Sequence, residues 1–149
     1  MSVADLSSTP VYTTFAEQPL SAAAREMCAR DVGALVVVDA RAHRPVGILT
    51  DRDIVRGQLE RCADLHCLTV GEVMTPNPLT VRAEAALSEA IQAMSARGVR
   101  RAPVVDRSGA LLGIVTLDDL LPALAKQLSE LAGLADAQAR RLPKAQRHA

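Results

Sequence analysis

Aromatic side chains are almost missing from this sequence. Its 149 residues include one tyrosine, Tyr12, one phenylalanine, Phe15, and no tryptophan. A flat ligand would therefore lie between aliphatic walls, because no stacking platform is on offer. Net charge is missing as well. Seventeen Lys and Arg balance seventeen Asp and Glu, so no global field draws the chain to nucleic acid or to anionic lipid. The longest apolar run, around "GALVVV" (33–38), is eight residues or fewer, far short of the roughly 20 that span a bilayer. The first residues, "MSVADLSSTP", lack the basic start and apolar stretch of an export signal. The three cysteines then read as reduced thiols, and a cytoplasmic location is expected. What remains is ordinary globular material, 49% hydrophobic and 23% charged.

What is present is repetition. Shifted by 67 positions, "LSAAAREMCARDVGALVVVD" (20–39) falls on "LSEAIQAMSARGVRRAPVVD" (87–106), with ten of twenty residues identical. After a one-residue deletion, Gly47, Ile48, Thr50 and Asp53 fall on Gly113, Ile114, Thr116 and Asp119. More weakly, "VADLSSTPVYTT" (3–14) answers "VGEVMTPNPLTV" (70–81). Each copy begins with a short extended piece, Tyr12–Thr14 or Leu79–Val81. A helix follows, with Leu20, Ala23, Ala24 and Met27, or Leu87, Ala90, Ile91 and Met94, on one face. The β-branched runs "ALVVV" (34–38) and "PVV" (103–105) read as buried strands. Short strands at 46–49 and 112–115 lead into second helices beginning at Thr50 and Thr116. The spacing thus predicts an α/β (α+β) fold of two β-α-β-β-α repeats packed about a pseudo-twofold axis, because neither copy could bury its sheet and both helices alone. Residues 1–60 form the first repeat, 61–69 a linker within "QLERCADLHCLT", and 70–125 the second repeat. Residues 126–149 form a C-terminal helix and a partly disordered basic tail.

Thr50 and Asp53 pose the functional question. Thr followed three residues later by Asp is a capping box: the hydroxyl accepts from the N3 amide, and the carboxylate accepts from the cap's own N–H. That alone contributes about 1 kcal/mol and needs no ligand. A grip is compatible with it, because a carboxylate has lone pairs to spare for ribose hydroxyls. The glycine two residues upstream of the strand end allows close approach, and a helix start offers N–H groups and a positive dipole end to phosphate. Duplication of the pattern suits two related sites.

The residues "MCARDVGALVVVD", "GILTDRDI", "VGEVMTPNPLTV", "MSARGVRRAPVVD" and "GIVTLDDLL" together resemble a tandem pair of CBS (cystathionine β-synthase) domains, a Bateman module, over roughly residues 3–125. In that family G-h-x-[ST]-x-x-[DN] marks adenosine sites in the cleft between two sheets. The resemblance implies Asp53 and Asp119 as ribose ligands and Thr50 and Thr116 on the phosphate side. Gly47, Gly113, Ile48, Ile114, Pro103, Thr13 and Thr80 would line the sites, with aliphatic residues around the base. Arg52, Arg100 and Arg101 suit phosphate oxygens by their guanidinium forks, or are solvated surface cations. The implied protein is a regulatory module, not an enzyme. It takes an adenosine ligand (AMP, ADP, ATP, S-adenosylmethionine or NAD type), needs no obligatory cofactor, and leaves room for Mg2+ beside a nucleotide. A homodimer through the CBS helices and an effector protein are the expected partners; membrane and nucleic acid are not. The alternative is a ligand-free dimerisation or interaction module.

Other clusters carry less. Cys62, His66 and Cys67 supply three candidate zinc ligands at poor spacing, where four are needed; a linker with buried or idle thiols is the expectation. Cys28, beside Met27, is expected to pack. His43, His66 and His148 lie in a loop, the linker and the tail, beside no Ser or Cys in a catalytic arrangement. Leu120, Leu121, Leu124, Leu128 and Leu131 form a long apolar stripe, suited to intramolecular core or to a helix of another subunit. The tail "AQARRLPKAQRHA" is basic with no acid, and a solvated end is its simplest explanation.

Overall fold

The computed structural model describes residues 1–141. The chain divides into two compact units, residues 1–116 and a second that begins at Leu117. In the first unit the order is β1 (Thr13–Thr14), α1 (Leu20–Arg30), β2 (Ala34–Val38), β3 (Pro45–Thr50), α2 (Asp51–Arg61), α3 (Val70–Val73), β4 (Thr75–Pro76), β5 (Val81–Arg82), α4 (Leu87–Arg97), β6 (Arg101–Val105) and β7 (Leu111–Thr116). The second unit contains α5 (Leu117–Arg141). The strands form two sheets, ordered β1-β2-β3-β4 and β5-β6-β7. The β-α-β-β-α order appears twice, as the repeat predicts.

Alternation along β2 organises the core. Leu35 and Val37 face a cluster with Leu20, Ala23 and Met27 of α1, Leu49 of β3 and Ile54 of α2. The intervening Val36 and Val38 face the other way, against Leu111 and Ile114 of the second sheet. One strand therefore buries both faces, which explains its unbroken run of aliphatic residues. Helix α1 ends at Asp31, in the left-handed region (φ 53°), and α4 ends 67 residues later at Gly98 (φ 63°). A reversal of chain direction is needed at both places; only the second copy uses the residue without a Cβ.

The leading pieces of the repeats are exchanged, which the sequence reading does not anticipate. Strand β4 belongs by sequence to the second copy but pairs with β3, Ile48 opposite Thr75 and Gly47 opposite Pro76. Val70 N–H donates to the Gln18 carbonyl (2.9 Å) and Gly71 N–H to that of Ala16 (2.8 Å). At the opposite end Val3 N–H donates to the Ala85 carbonyl and Ala4 N–H to that of Ala83, both 3.0 Å, while Ser8 bridges Ile114. Each of these partners lies 66 or 67 residues from its counterpart. Capping boxes fix both pieces, Ser2 with Asp5 and Thr69 with Glu72. Gly47 and Gly113 make the exchange possible. A Cβ on Gly47 would stand 3.2 Å from the Thr75 carbonyl, and one on Gly113 3.1 Å from the Ser8 carbonyl.

Several local expectations are corrected. Helix α2 continues to Arg61, and Leu68, within the segment expected as a linker, is buried. The first strand of the second copy is Val81–Arg82, not Leu79–Val81, and the core strand begins at Arg101, not Pro103. Cys28 is exposed, as are Cys62 and Cys67, so none is a packing thiol. The tail expected after Asp136 is helical up to Arg141; residues 142–149, with His148 and the rest of the basic run, lie outside the described residues.

Candidate functional site

Register decides which side chains share the face between the sheets. In the first sheet Ala34 lies opposite Thr50 and Val36 opposite Ile48. In the second, Arg101 lies opposite Thr116 and Pro103 opposite Ile114. Side chains two apart on a strand, and direct cross-strand partners, point to one side. Since Val36 and Ile114 pack in the inter-sheet cluster, Ile48 and Thr50 accompany Val36, while Thr116, Arg101 and Pro103 accompany Ile114. Pro103 is fully buried; Ile48, Ile114, Thr50, Thr116 and Arg101 are half-buried. The walls are aliphatic and the polar groups sit at the strand ends.

At the first junction Thr50 caps α2. Its hydroxyl accepts from Asp53 N–H at 3.1 Å, and Asp53 Oδ2 accepts from Thr50 N–H at 2.9 Å. The capping half of the sequence argument is thus built. The half that offers bare helix amides to phosphate is corrected. Asp51 N–H donates to the Gly33 carbonyl (3.1 Å), Arg52 N–H to Asp51 Oδ1 (2.8 Å), and Asp53 N–H to Thr50. The first three amides of α2 are taken, and two carboxylates already sit in its first turn. An added anion would compete with them at the dipole end. The close approach inferred at Gly47 and Gly113 is filled by the exchanged chain pieces.

Asp53 also lines a cavity of about 260 Å³ with Arg56, Arg61, Glu72 and Thr75. There the Thr69 N–H and hydroxyl, with the Arg61 guanidinium, hold the Glu72 carboxyl below its ordinary range. A larger cavity of about 450 Å³ runs beside α1 and α2, walled by Ala24, Met27, Ile54 and Val55 and edged by Asp31 and Asp51. Neither Gly33 nor Asp51 was singled out in the sequence; the Gly that breaks the run before β2 was the available signal. Thr13 stands in β1 beside Val36 and lines a third cavity, about 260 Å³, with Thr14, Gln18 and Glu26. Thr80 is exposed ahead of β5, and Arg52 and Arg100 are exposed. Thr116 closes β7 and Asp119 stands in the first turn of α5.

His43 occupies the β2–β3 loop and His66 the turn before α3, both exposed. Among the described residues no group of three or more His, Cys, Asp or Glu could hold a metal ion, and no helix is long and apolar enough to cross a membrane.

Comparison with known proteins follows the same division of the chain. The CBS domain family model matches residues 3–60 and 70–126. Hypoxic response protein 1 of Mycobacterium tuberculosis is 39% identical over 105 residues, covering 69% of this chain and 71% of that protein. Among solved structures, the CBS domain pair of protein MJ0100 in complex with 5-methylthioadenosine and S-adenosyl-L-methionine is similar at a TM-score of 0.74. It is 26% identical and covers 85% of this chain and 98% of that one. CBSX2 in complex with AMP is similar at 0.71, with 28% identity, over 86% of this chain and 98% of that one.

Proposed function

This chain belongs to the CBS domain family, and we propose that it is a regulatory module that binds an adenosine compound between its two sheets and signals to a partner through the change this imposes. One observation carries the reading: Ile48 and Thr50 share the face turned to the second sheet, Asp53 is bonded to Thr50 where β3 enters α2, and the motif recurs at Ile114, Thr116 and Asp119. Asp53 commits Oδ2 to the cap, and Oδ1 is the oxygen offered to ribose hydroxyls. Ile48 and Ile114 supply aliphatic walls for the base, the role that an almost aromatic-free chain leaves to them. Structures similar to this chain hold AMP, 5-methylthioadenosine and S-adenosylmethionine, which supports the ligand class.

The occupied α2 tip distributes the roles further. Phosphate contacts fall to Arg101, opposite Thr116 in the sheet, and to Arg100, while the first junction suits the uncharged ribose. A magnesium ion, where a polyphosphate brings one, belongs to the ligand. Exposed Val55 and Leu59 on α2, beside the α1–α2 cavity, suit burial against a second copy. The ligand acts by favouring one arrangement of repeats or subunits, to the extent of its differential affinity.

The test is a thermal-shift panel of AMP, ATP, S-adenosylmethionine and 5-methylthioadenosine, with the absorbance of the purified chain read at 260 nm. With one Tyr and no Trp, any retained nucleotide dominates that spectrum. Stabilisation by at least one compound is expected. A clean spectrum and no shift with any of the four would favour the second reading, an interaction module whose sheets pack without a ligand. The fully satisfied α2 amides support that second reading.

A further inference from the structure

Helix α5 carries an apolar stripe that the described chain leaves uncovered. Its first turns are packed, with Leu120 and Ala123 buried, but every described residue from Ala125 to Arg141 is exposed. Leu121, Leu128, Leu131 and Leu134 are 54%, 67%, 62% and 66% exposed. Leu121, Leu124, Leu128, Leu131 and Ala135 recur at alternating spacings of three and four, a heptad seam. A 17-residue helical segment gains little in water without burying such a face.

We propose that a second copy of this chain covers the stripe, with the two α5 helices packed antiparallel. Charge decides the direction. The acids Asp118 and Asp119 stand in the first turn and the bases Arg140 and Arg141 in the last. When Leu128 of one helix is set opposite Leu131 of its partner, Leu124 meets Ala135. Asp118, the exposed acid of the first turn, then comes level with Arg141. A parallel pair would instead stack acid on acid and base on base at the same levels, and would align the two macrodipoles. Charge also argues against a lipid surface as the occupant. Residues 117–141 hold four acids, Asp118, Asp119, Glu130 and Asp136, against Lys126, Arg140 and Arg141, whereas a membrane-surface helix is rich in Lys and Arg on its polar side.

The proposal is independent of any nucleotide and is tested by spin-label distances in the full chain. A cysteine replaces Ser129 or Ala137 in a Cys28→Ser, Cys62→Ser, Cys67→Ser background, all three native thiols being exposed. At a rise of about 1.5 Å per residue, the antiparallel register separates paired labels along the axis by about 2 Å at residue 129 and about 22 Å at residue 137. The distance at Ala137 should therefore exceed that at Ser129 by roughly 10 Å or more. Leu128→Asp with Leu131→Asp should abolish the short distance, whereas Val55→Asp with Leu59→Asp should leave it. Equal distances at both positions would mean a parallel pair and overturn the proposal. So would distances unmoved by the leucine changes, or a monomer that co-sediments with phosphatidylserine vesicles through Leu128.

Discussion

Gly57 sits mid-helix in α2, where a glycine ordinarily costs about 1 kcal/mol relative to alanine, so Gly57→Ala would stabilise an isolated helix. Here it should do the opposite. A Cβ on Gly57 would stand 2.8 Å from both methyls of Val73 and 3.4 Å from its Cβ, where carbon atoms prefer about 3.5–4.0 Å. Val73 belongs to α3, the piece of the second repeat that packs on the first. Its branched side chain has few alternative rotamers. An overpacked contact of this kind costs about 1–3 kcal/mol. Setting about 2 kcal/mol against the helical gain of about 1 leaves Gly57→Ala destabilised by about 1 kcal/mol, a fall of about 3 °C in Tm for a chain of this length. Val73→Ala alone should also destabilise, through lost burial. The double variant should be at least about 1 kcal/mol more stable than the sum of the two, because the smaller side chain makes room for the new methyl. Urea denaturation of the four proteins measures this. Additive effects, or a Gly57→Ala protein more stable than the parent, would refute the inferred contact between the repeats.

Further outcomes follow from the same geometry. Thr50→Ala removes the hydroxyl that accepts from Asp53 N–H and should cost about 1 kcal/mol in urea denaturation. Asp31→Gly places in the first copy the residue that ends α4 in the second, and should raise stability by about 0.5 kcal/mol or more, since αL strains an ordinary side chain. Acid should destabilise the fold. Asp39 is held below its ordinary range chiefly by the Ala42 N–H, and Asp106 chiefly by the Ser108 hydroxyl. Groups depressed in the folded state stabilise it above their unfolded pKa of about 4, and that contribution is lost as pH falls through the lower folded values. Thermal melts between pH 6 and pH 3 should show Tm falling at the acid end, less steeply for an Asp39→Asn, Asp106→Asn variant. A Tm that rose on acidification would contradict this.

The elements legible in the sequence were those whose period is set by burial. The faces of α1 and α4 and the strand β2 follow directly from their spacing, because one side or both must be apolar. The exchange of leading pieces was not legible, since pairs such as Ser8–Ile114 involve isolated bridges with little side-chain pattern. Its traces were the weak match of 3–14 to 70–81 and the capping signature, Ser2 with Asp5 and Thr69 with Glu72, repeated at a spacing of 67. The candidate site was legible as a motif, but its electrostatics were not. The spelling of "LTDRD" cannot say that Gly33 would take the Asp51 amide or that Asp51 would cap its neighbour's N–H. A partner 18 residues away decided the first and the adjacent carboxylate the second, and together they leave the α2 tip without free amides for an anion. Cys28 failed for a simpler reason: adjacency to a buried Met27 on a helix places it on a different face.

Isothermal titration of the adenosine compound accepted by the parent protein, repeated on Asp53→Ala and on Asp119→Ala, tests the ribose assignment most directly. A hydrogen bond to a charged acceptor contributes about 1.5–3 kcal/mol, so at least one substitution should weaken binding by roughly 10- to 100-fold. Unchanged affinity in both variants, each still folded, would leave Thr50 and Asp53 as a helix cap and nothing more.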